Sequence, residues 1–416
     1  MAIPIPEQRI LDFEDLGFGM FVHFGLYSQL GQGEWIQHIK QIPKEEYRKL
    51  MDTFTAKGFN AKALVATAKK AGMKYITLTT RHHDGFSLYD TCGLNDFDAP
   101  HSPAKRDLIR EFVDACNEEG IVPFFYHTTL DWYMENFRLD FAQYQKYLRA
   151  SIEVLCTRYG KIGGLWFDGN WSDTVSDWEE DALYSLIRKH QPDAIIINNS
   201  GMFKPGMEGH KELDSVTFEQ GRPTAMIRDG MSKYVAAEMC QTLNNHWGFG
   251  RGDFNYKSLP EIIENLCSCR KVGANYLLNI GPDGEGCLPK MQEAMLELLG
   301  EWIEIYKEAI FDVFPHTVIG QGKDFSLKSK NGKVYLFVHQ MSISGHANVT
   351  VNGINGIGPR VFTNCTDKIE SIKWIDNDEI LKFVQDTDTG MACVNCTGFP
   401  YGCDYVVRIA EVIWKK

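Results

Sequence analysis

Nowhere in the 416 residues do apolar side chains run on for the roughly 18–20 positions that a membrane-spanning helix needs, so no helical span is expected. Basic clusters are also missing. With 43 Lys and Arg against 55 Asp and Glu the formal net charge is −12. An acidic chain repels phosphate backbones, so nucleic acid is not an expected partner. Metal-ligand spacings are scarce. Eleven cysteines are scattered along the chain. Cys393 and Cys396 form one CxxC, and Cys267 and Cys269 stand close together, but no second pair or HxxxH lies at zinc-finger spacing. Neither a metal site nor a cofactor is expected. The segment from Met1 to Gln8 has neither the basic flank nor the apolar core of a secretory signal. The expectation is a cytoplasmic protein with reduced, mostly buried thiols. Internal repeats and low-complexity tracts are absent.

What is present is an alternation. Short apolar runs begin at Phe18, Tyr75, Ile121, Ile162 and Ala194, and helical segments separate them: 60–71, 105–119, 141–159 and 178–190. The runs are continuously apolar, the pattern of strands buried on both faces in a parallel sheet. The stretch 201–252 is less regular. A helix at 259–272, a strand at 276–280 and a helix at 290–310 then complete a barrel-sized array. After about Phe314 the texture changes. Pro315 is expected to break the chain, and short β-rich runs follow at 334–338, 347–351, 370–374 and 405–409. The expected architecture is an α/β (β/α)8-like TIM barrel over 1–313, followed by a C-terminal β-sandwich over 314–416.

In such a barrel the chemistry sits at the carboxyl ends of the strands. Those ends here carry His23, then Arg81-His82-His83-Asp84, then Tyr126-His127, then Trp166-Phe167-Asp168, then Asn198-Asn199, with Asn279 near the eighth. Imidazole, carboxylate and amide groups both donate to and accept from hydroxyls, and aromatic faces cover the apolar side of a sugar. Asp168 stands out because it closes an apolar strand ahead of Gly169, flanked by Trp166 and Trp171. A glycosidase needs a second carboxylate. Glu208, Glu212, Asp214, Glu219, Asp229 and Glu238 are the downstream candidates.

Several segments together resemble glycoside hydrolase family 29, the retaining α-L-fucosidases. They are Gly17–Gly25 (Gly-Phe-Gly-Met-Phe-Val-His-Phe-Gly), Glu34-Trp35, His82–Phe86 (His-His-Asp-Gly-Phe), Leu165–Gly169 (Leu-Trp-Phe-Asp-Gly), Phe218–Gln220 (Phe-Glu-Gln) and Leu277–Pro282 (Leu-Leu-Asn-Ile-Gly-Pro). The likeness runs in order over about residues 10–310. It implies Asp168 as the nucleophile, and His23, His82 and His83 as ligands of the fucose hydroxyls. It implies that Glu34, Trp35, Tyr126, Trp166 and Trp247 line the sugar site. Glu219 resembles the acid/base of a Pro-Glu-Gln segment. Glu238, in a segment that resembles Trp-Glu-x-Cys, is the rival.

Two departures from that pattern stand out. Ser200 replaces an arginine after Asn198-Asn199, so a cation would have to come from elsewhere, with Arg222 a candidate. Ala237 replaces a tryptophan, which would open room beside the leaving group. The expected partner is a fucosylated oligosaccharide or glycoconjugate. The alternatives are a retaining exo-glycosidase for a related sugar and an inactive carbohydrate-binding homologue.

Overall fold

The computed structural model describes residues 3–200, 202, 204–342 and 358–415. Eight strands, β1 (Phe18–Val22), β2 (Tyr75–Arg81), β3 (Val122–Thr128), β4 (Gly164–Asp168), β5 (Ile195–Asn198), β6 (Ser215–Glu219), β7 (Ala236–Thr242) and β8 (Asn275–Ile280), pair in sequence order. Every pairing is parallel, and β8 returns to β1 to close the barrel. All positions of β1, β2, β5, β7 and β8 are buried, which is why their sequences show no alternation.

Seven helices of eight or more residues are described: α1 (Gln8–Leu16), α2 (Ala61–Lys70), α3 (Leu108–Glu119), α4 (Phe141–Arg158), α5 (Glu180–His190), α6 (Leu259–Lys271) and α7 (Lys290–Ile310). Their ends follow local chemistry. The Asn60 side chain accepts from the Ala63 N–H at 3.1 Å to start α2, and Asp107 accepts from the Arg110 N–H at 2.9 Å to start α3. Gly120, at φ 70°, ends α3 in a conformation that favours glycine. Among the described residues no helix follows β5 or β6. No described helix is long and apolar enough to cross a membrane.

The region read as irregular contains β6 and β7. Their sequences hide them: Glu238 stands in the middle of β7, and β6 ends in Glu219.

Side chains fill the barrel. Phe21, Tyr75, Phe124, Tyr126, Trp166, Ile197, Cys240 and Leu277 form one core with Ile10 and Phe13 of α1. Phe13 lies 5.7 Å, ring to ring, from both Tyr75 and Phe124, and Asn275 donates to its carbonyl at 2.7 Å. Helix α1 therefore plugs the amino-terminal end. Next to β6 at that end, Asp214 is fully buried and pairs with Arg9 at 3.0 Å, Arg188 at 2.5 Å and Lys233 at 2.8 Å. Burial alone would raise its pKa, but the charges of Arg188 and Lys233 prevail and hold it below the ordinary value. Asp214 is thus an anchor and not a candidate for chemistry.

The remaining strands, β9 (Val313–Gly320), β10 (Phe325–Ser329), β11 (Val334–His339), β12 (Gly358–Thr363), β13 (Ile369–Trp374), β14 (Lys382–Asp386), β15 (Met391–Cys396) and β16 (Val407–Trp414), form an antiparallel array in the order β13-β16-β11-β10-β9-β12-β15-β14. Val318, Leu336, Phe362, Trp374, Val394 and Val412, from six of these strands, share one core, so the array folds over on itself. Contrary to expectation, Pro315 does not break the chain. It lies within β9, opposite Leu327 of β10, and β12 pairs with β9 only at Ile319 and Gly320. Only one side of β9 is laddered at that point, where a proline is tolerated. The run read at 347–351 lies outside the described residues. The chain divides into two compact units, 1–257 with 275–297 and 258–274 with 298–416. None of the eleven cysteines takes part in a disulfide.

Candidate active site

A packed barrel interior leaves only its carboxyl-terminal end for a pocket. The pocket there is lined by Phe21, His23, Trp35, His82, His83, Tyr126, Trp166, Asp168, Trp171, Asn199, Met202, Glu219 and Trp247. Its floor is the top of the core, where Phe21 and Trp166 rings stand 5.3 Å apart and Tyr126 stacks on Trp166 at 5.8 Å. The pocket is blind.

Asp168 ends β4 and is only half-buried, unlike the strand below it. Its Oδ1 accepts from the Trp171 indole at 2.7 Å and from Asn199 Nδ2 at 3.4 Å. Its Oδ2 accepts from the Tyr126 hydroxyl at 3.1 Å. Its own carbonyl is held by the Thr129 N–H at 2.7 Å. Gly169 follows at φ 121°, and a Cβ there would lie 2.5 Å from the Leu130 nitrogen, so only glycine lets the chain turn at this point.

Glu219 ends β6. Its Oε2 accepts from the same Asn199 Nδ2, at 2.7 Å. The two carboxylate oxygens are therefore no more than about 6 Å apart, the two bonds laid end to end, which suits the roughly 5–5.5 Å of a retaining pair better than the roughly 6.5–9.5 Å of an inverting one. Burial raises the Glu219 pKa to about 7, with the negative charge of Asp168 adding to the effect and the Asn199 hydrogen bond opposing it.

The three histidines sit among rings. His82 stacks on Tyr126 at 5.5 Å, and its centroid is 4.2 Å from His83 and 5.6 Å from His23. Burial lowers the pKa of all three, that of His23 to about 3 and of His83 to about 4, so all are neutral near pH 7. The tautomers follow from the partners. Asn279 donates its amide to the Trp247 carbonyl at 2.7 Å, so its oxygen accepts from His23 Nδ1 at 2.7 Å. Thr128 donates its hydroxyl to the Leu130 carbonyl, so it accepts from His83 Nδ1 at 2.6 Å. Each ring is left with an unprotonated Nε2, and that of His83 lies 3.5 Å from Asp168 Oδ2. A pocket presenting lone pairs beside a carboxylate calls for a ligand rich in hydroxyl donors. Among the described residues no group of three or more His, Cys, Asp or Glu side chains is arranged to hold a metal ion.

Of the residues singled out in the sequence, His23, Trp35, His82, His83, Tyr126, Trp166, Asp168, Glu219 and Trp247 converge on the pocket. Glu34 does not line it. Its buried carboxylate accepts from the Gly248 N–H at 2.8 Å and so ties the Trp247-Gly248 segment beside Trp35. Glu238 also stays out of it. The carboxyl points into the barrel, with Oε2 accepting from Tyr75 at 2.5 Å and Oε1 from Trp166 at 2.9 Å, and burial raises its pKa to about 7.

Ala236, Glu238 and Cys240 face the interior, so Ala237 points outward, and its substitution opens no room in the pocket. Arg222 is exposed and supplies no cation there. Asn199, read in the sequence as a polar strand end but given no role, joins the two carboxylates, whereas sequence reasoning passed over Trp132, which packs on Trp35 and His83 at 5.2 and 5.4 Å. Asn199 carried the signal of a polar residue at a strand end. Trp132 lies on a loop and gives no such signal.

The comparisons agree with this geometry. An α-L-fucosidase isoenzyme 1 from Paenibacillus thiaminolyticus superposes with a TM-score of 0.83 at 28% identity, over 98% of this chain and 99% of that one. A putative α-L-fucosidase of Caenorhabditis elegans is 27% identical over 99% of this chain and 88% of its own length. Human tissue α-L-fucosidase is 26% identical over 91% of this chain and 83% of its own. The family described as Alpha-L-fucosidase matches residues 7–308, and with the barrel and its sugar-type pocket in hand the chain belongs to that family of glycoside hydrolases.

Proposed function

We propose that this chain is a retaining exo-α-L-fucosidase in which Asp168 is the nucleophile and Glu219 the general acid and base. The observation that carries the reading is the Asn199 amide shared by the two carboxylates at the mouth of a blind pocket. A blind pocket admits a chain end and not a chain interior, hence exo action.

Asp168 attacks the anomeric carbon, the glycosidic bond breaks, and the leaving oxygen takes the proton of Glu219. Water then loses a proton to the Glu219 carboxylate and attacks the same carbon, releasing fucose and the Asp168 carboxylate. Tyr126 and Trp171 donate to Asp168 and hold it aimed. With its pKa raised to about 7, Glu219 is protonated on the acid side of neutrality, as the first step requires. His23 and His83 accept from sugar hydroxyls, and Phe21 and Trp166 face the 6-methyl group. A galactoside would press a hydroxyl against that apolar floor without a partner, which disfavours the related-sugar reading.

Hydrolysis of 4-nitrophenyl α-L-fucoside tests this, with the wild type, Asp168→Ala and Glu219→Ala, each variant supplemented with azide. The expected result is an inactive Asp168→Ala rescued as β-fucosyl azide and a Glu219→Ala rescued as α-fucosyl azide. Rescue with retained configuration in Glu238→Ala alone would move the acid/base to that residue.

A further inference from the structure

The residue after Glu219 holds its backbone in a costly conformation. Gln220 has a φ of 56°, in the left-handed region that favours glycine. Gly221 stands next to it, yet the left-handed turn falls on the glutamine and not on the glycine. Strain of this kind persists only where the surroundings over-determine it, so the glutamine side chain is the place to look for what holds the turn.

Gln220 is exposed as a residue, but its amide turns back onto Thr242, the buried last residue of β7. Gln220 Nε2 donates to Thr242 Oγ1 at 3.0 Å, and Gln220 Oε1 accepts from the Thr242 N–H at 3.4 Å. The Thr242 hydroxyl donates in turn to the Asn244 carbonyl at 2.6 Å. The Gln220 N–H donates to the Cys240 carbonyl at 2.9 Å. Backbone and side chain of one residue thus join the end of β6 to the end of β7. Both ends lead into the pocket. Glu219 immediately precedes Gln220, and Trp247 lies on the loop that leaves Thr242. Against burial, which raises the Glu219 pKa, the Asn199 amide and the Trp247 indole favour its charged form. The carboxyl therefore stands between a residue that follows β5 and one that follows β7, and the Gln220 amide fixes the strand end that carries it.

We infer that Gln220 is a positioning residue, whose amide clamps the turn after Glu219 onto Thr242 and so fixes the direction in which the acid/base carboxyl enters the pocket. This rests on the reading of Glu219 as the acid/base. Gln220 does not itself line the pocket and acts only through Glu219. Without the clamp the turn is free to leave the left-handed region, and the carboxyl swings away from the leaving oxygen. Breaking of the glycosidic bond then slows in proportion to how much the leaving group needs a proton.

The test compares phenyl α-L-fucoside, whose leaving group needs a proton, with 2-chloro-4-nitrophenyl α-L-fucoside, whose leaving group departs as an anion. The enzymes are the wild type, Glu219→Ala, Gln220→Gly, Thr242→Val and the double variant of the last two. Glycine takes the left-handed turn without strain, so Gln220→Gly removes the amide and spares the fold. The expected result is that Gln220→Gly lowers kcat/KM on the phenyl substrate about tenfold, part of the way to Glu219→Ala, and leaves the chloronitrophenyl substrate within about twofold of the wild type. Thr242→Val should give the same pattern, and the double variant should be no worse than either single one, because both break one clamp. Equal losses on the two substrates, or no loss on the phenyl one, would overturn the clamp, while a Glu219→Ala selectively slow on the phenyl substrate would leave the acid/base standing. A Glu219→Ala as fast as the wild type on both would overturn both readings.

Discussion

Glu219 and Glu238 occupy two regions of one barrel, the mouth and the interior, and burial raises the pKa of each to about 7. Their titration alone does not tell them apart. Their surroundings do. Glu219 shares Asn199 with Asp168 and borders the pocket, so its proton has somewhere to go. Glu238 has both oxygens engaged by Tyr75 and Trp166 and does not border the pocket. A perturbed carboxyl in a cleft is a candidate for chemistry, but structural networks perturb carboxyls as well. Access and a second carboxylate decide between them.

The largest effect that could break this contrast is in Glu219→Gln. Loss of general acid catalysis should lower kcat/KM on poor leaving groups by about 10²–10⁴-fold, and the fall of wild-type activity as pH rises through about 7 should vanish from the pH profile. If that fall persisted, its source would lie elsewhere.

Asn199→Ala comes next. It removes the amide that spaces the two carboxylates, and misplacement of that kind can cost on the order of 10²-fold in kcat/KM. Because the Asn199 bond opposes the rise in the Glu219 pKa, the alkaline limb should move to higher pH.

Glu238→Gln should keep the alkaline limb where it is and lose less than about tenfold in kcat/KM, since it positions Trp166 without touching the reacting atoms. Its signature is in stability. The folded-state pKa of Glu238 lies above the unfolded one, so folding favours the protonated form, and this contribution is lost as pH rises from the unfolded value toward about 7. The glutamine cannot ionise. Its stability relative to the wild type should therefore climb between pH 5 and pH 8, by on the order of 3 kcal/mol or less. Thermal unfolding at the two pH values checks this, and a flat difference would mean that the carboxyl titrates alike in both states.

The same contrast shows what could be read from the sequence. The first five strands and the eighth were legible because both faces are buried and the runs are apolar throughout. Strands β6 and β7 were not, because Glu219 ends one and Glu238 interrupts the other, and these polar residues belong to the site and its support. Asp168 was legible as a carboxylate closing an apolar run. The choice between the two glutamates was not, since alternation along β7 aims Glu238 inward only once the register is known. Trp132 lies on a loop, and in loops no periodicity announces which way a side chain points.

Helix α1 has a consequence out of proportion to its nine residues. Phe13 packs on Tyr75, the Tyr75 hydroxyl holds Glu238, and Glu238 holds the Trp166 indole at the floor of the pocket. The cork at one end of the barrel is thus, through three direct contacts, the levelling screw of the table at the other. A fusion or trimming at the amino terminus that unseats Phe13 would tilt the floor of the pocket, and would be felt as a change of enzyme rather than of tail.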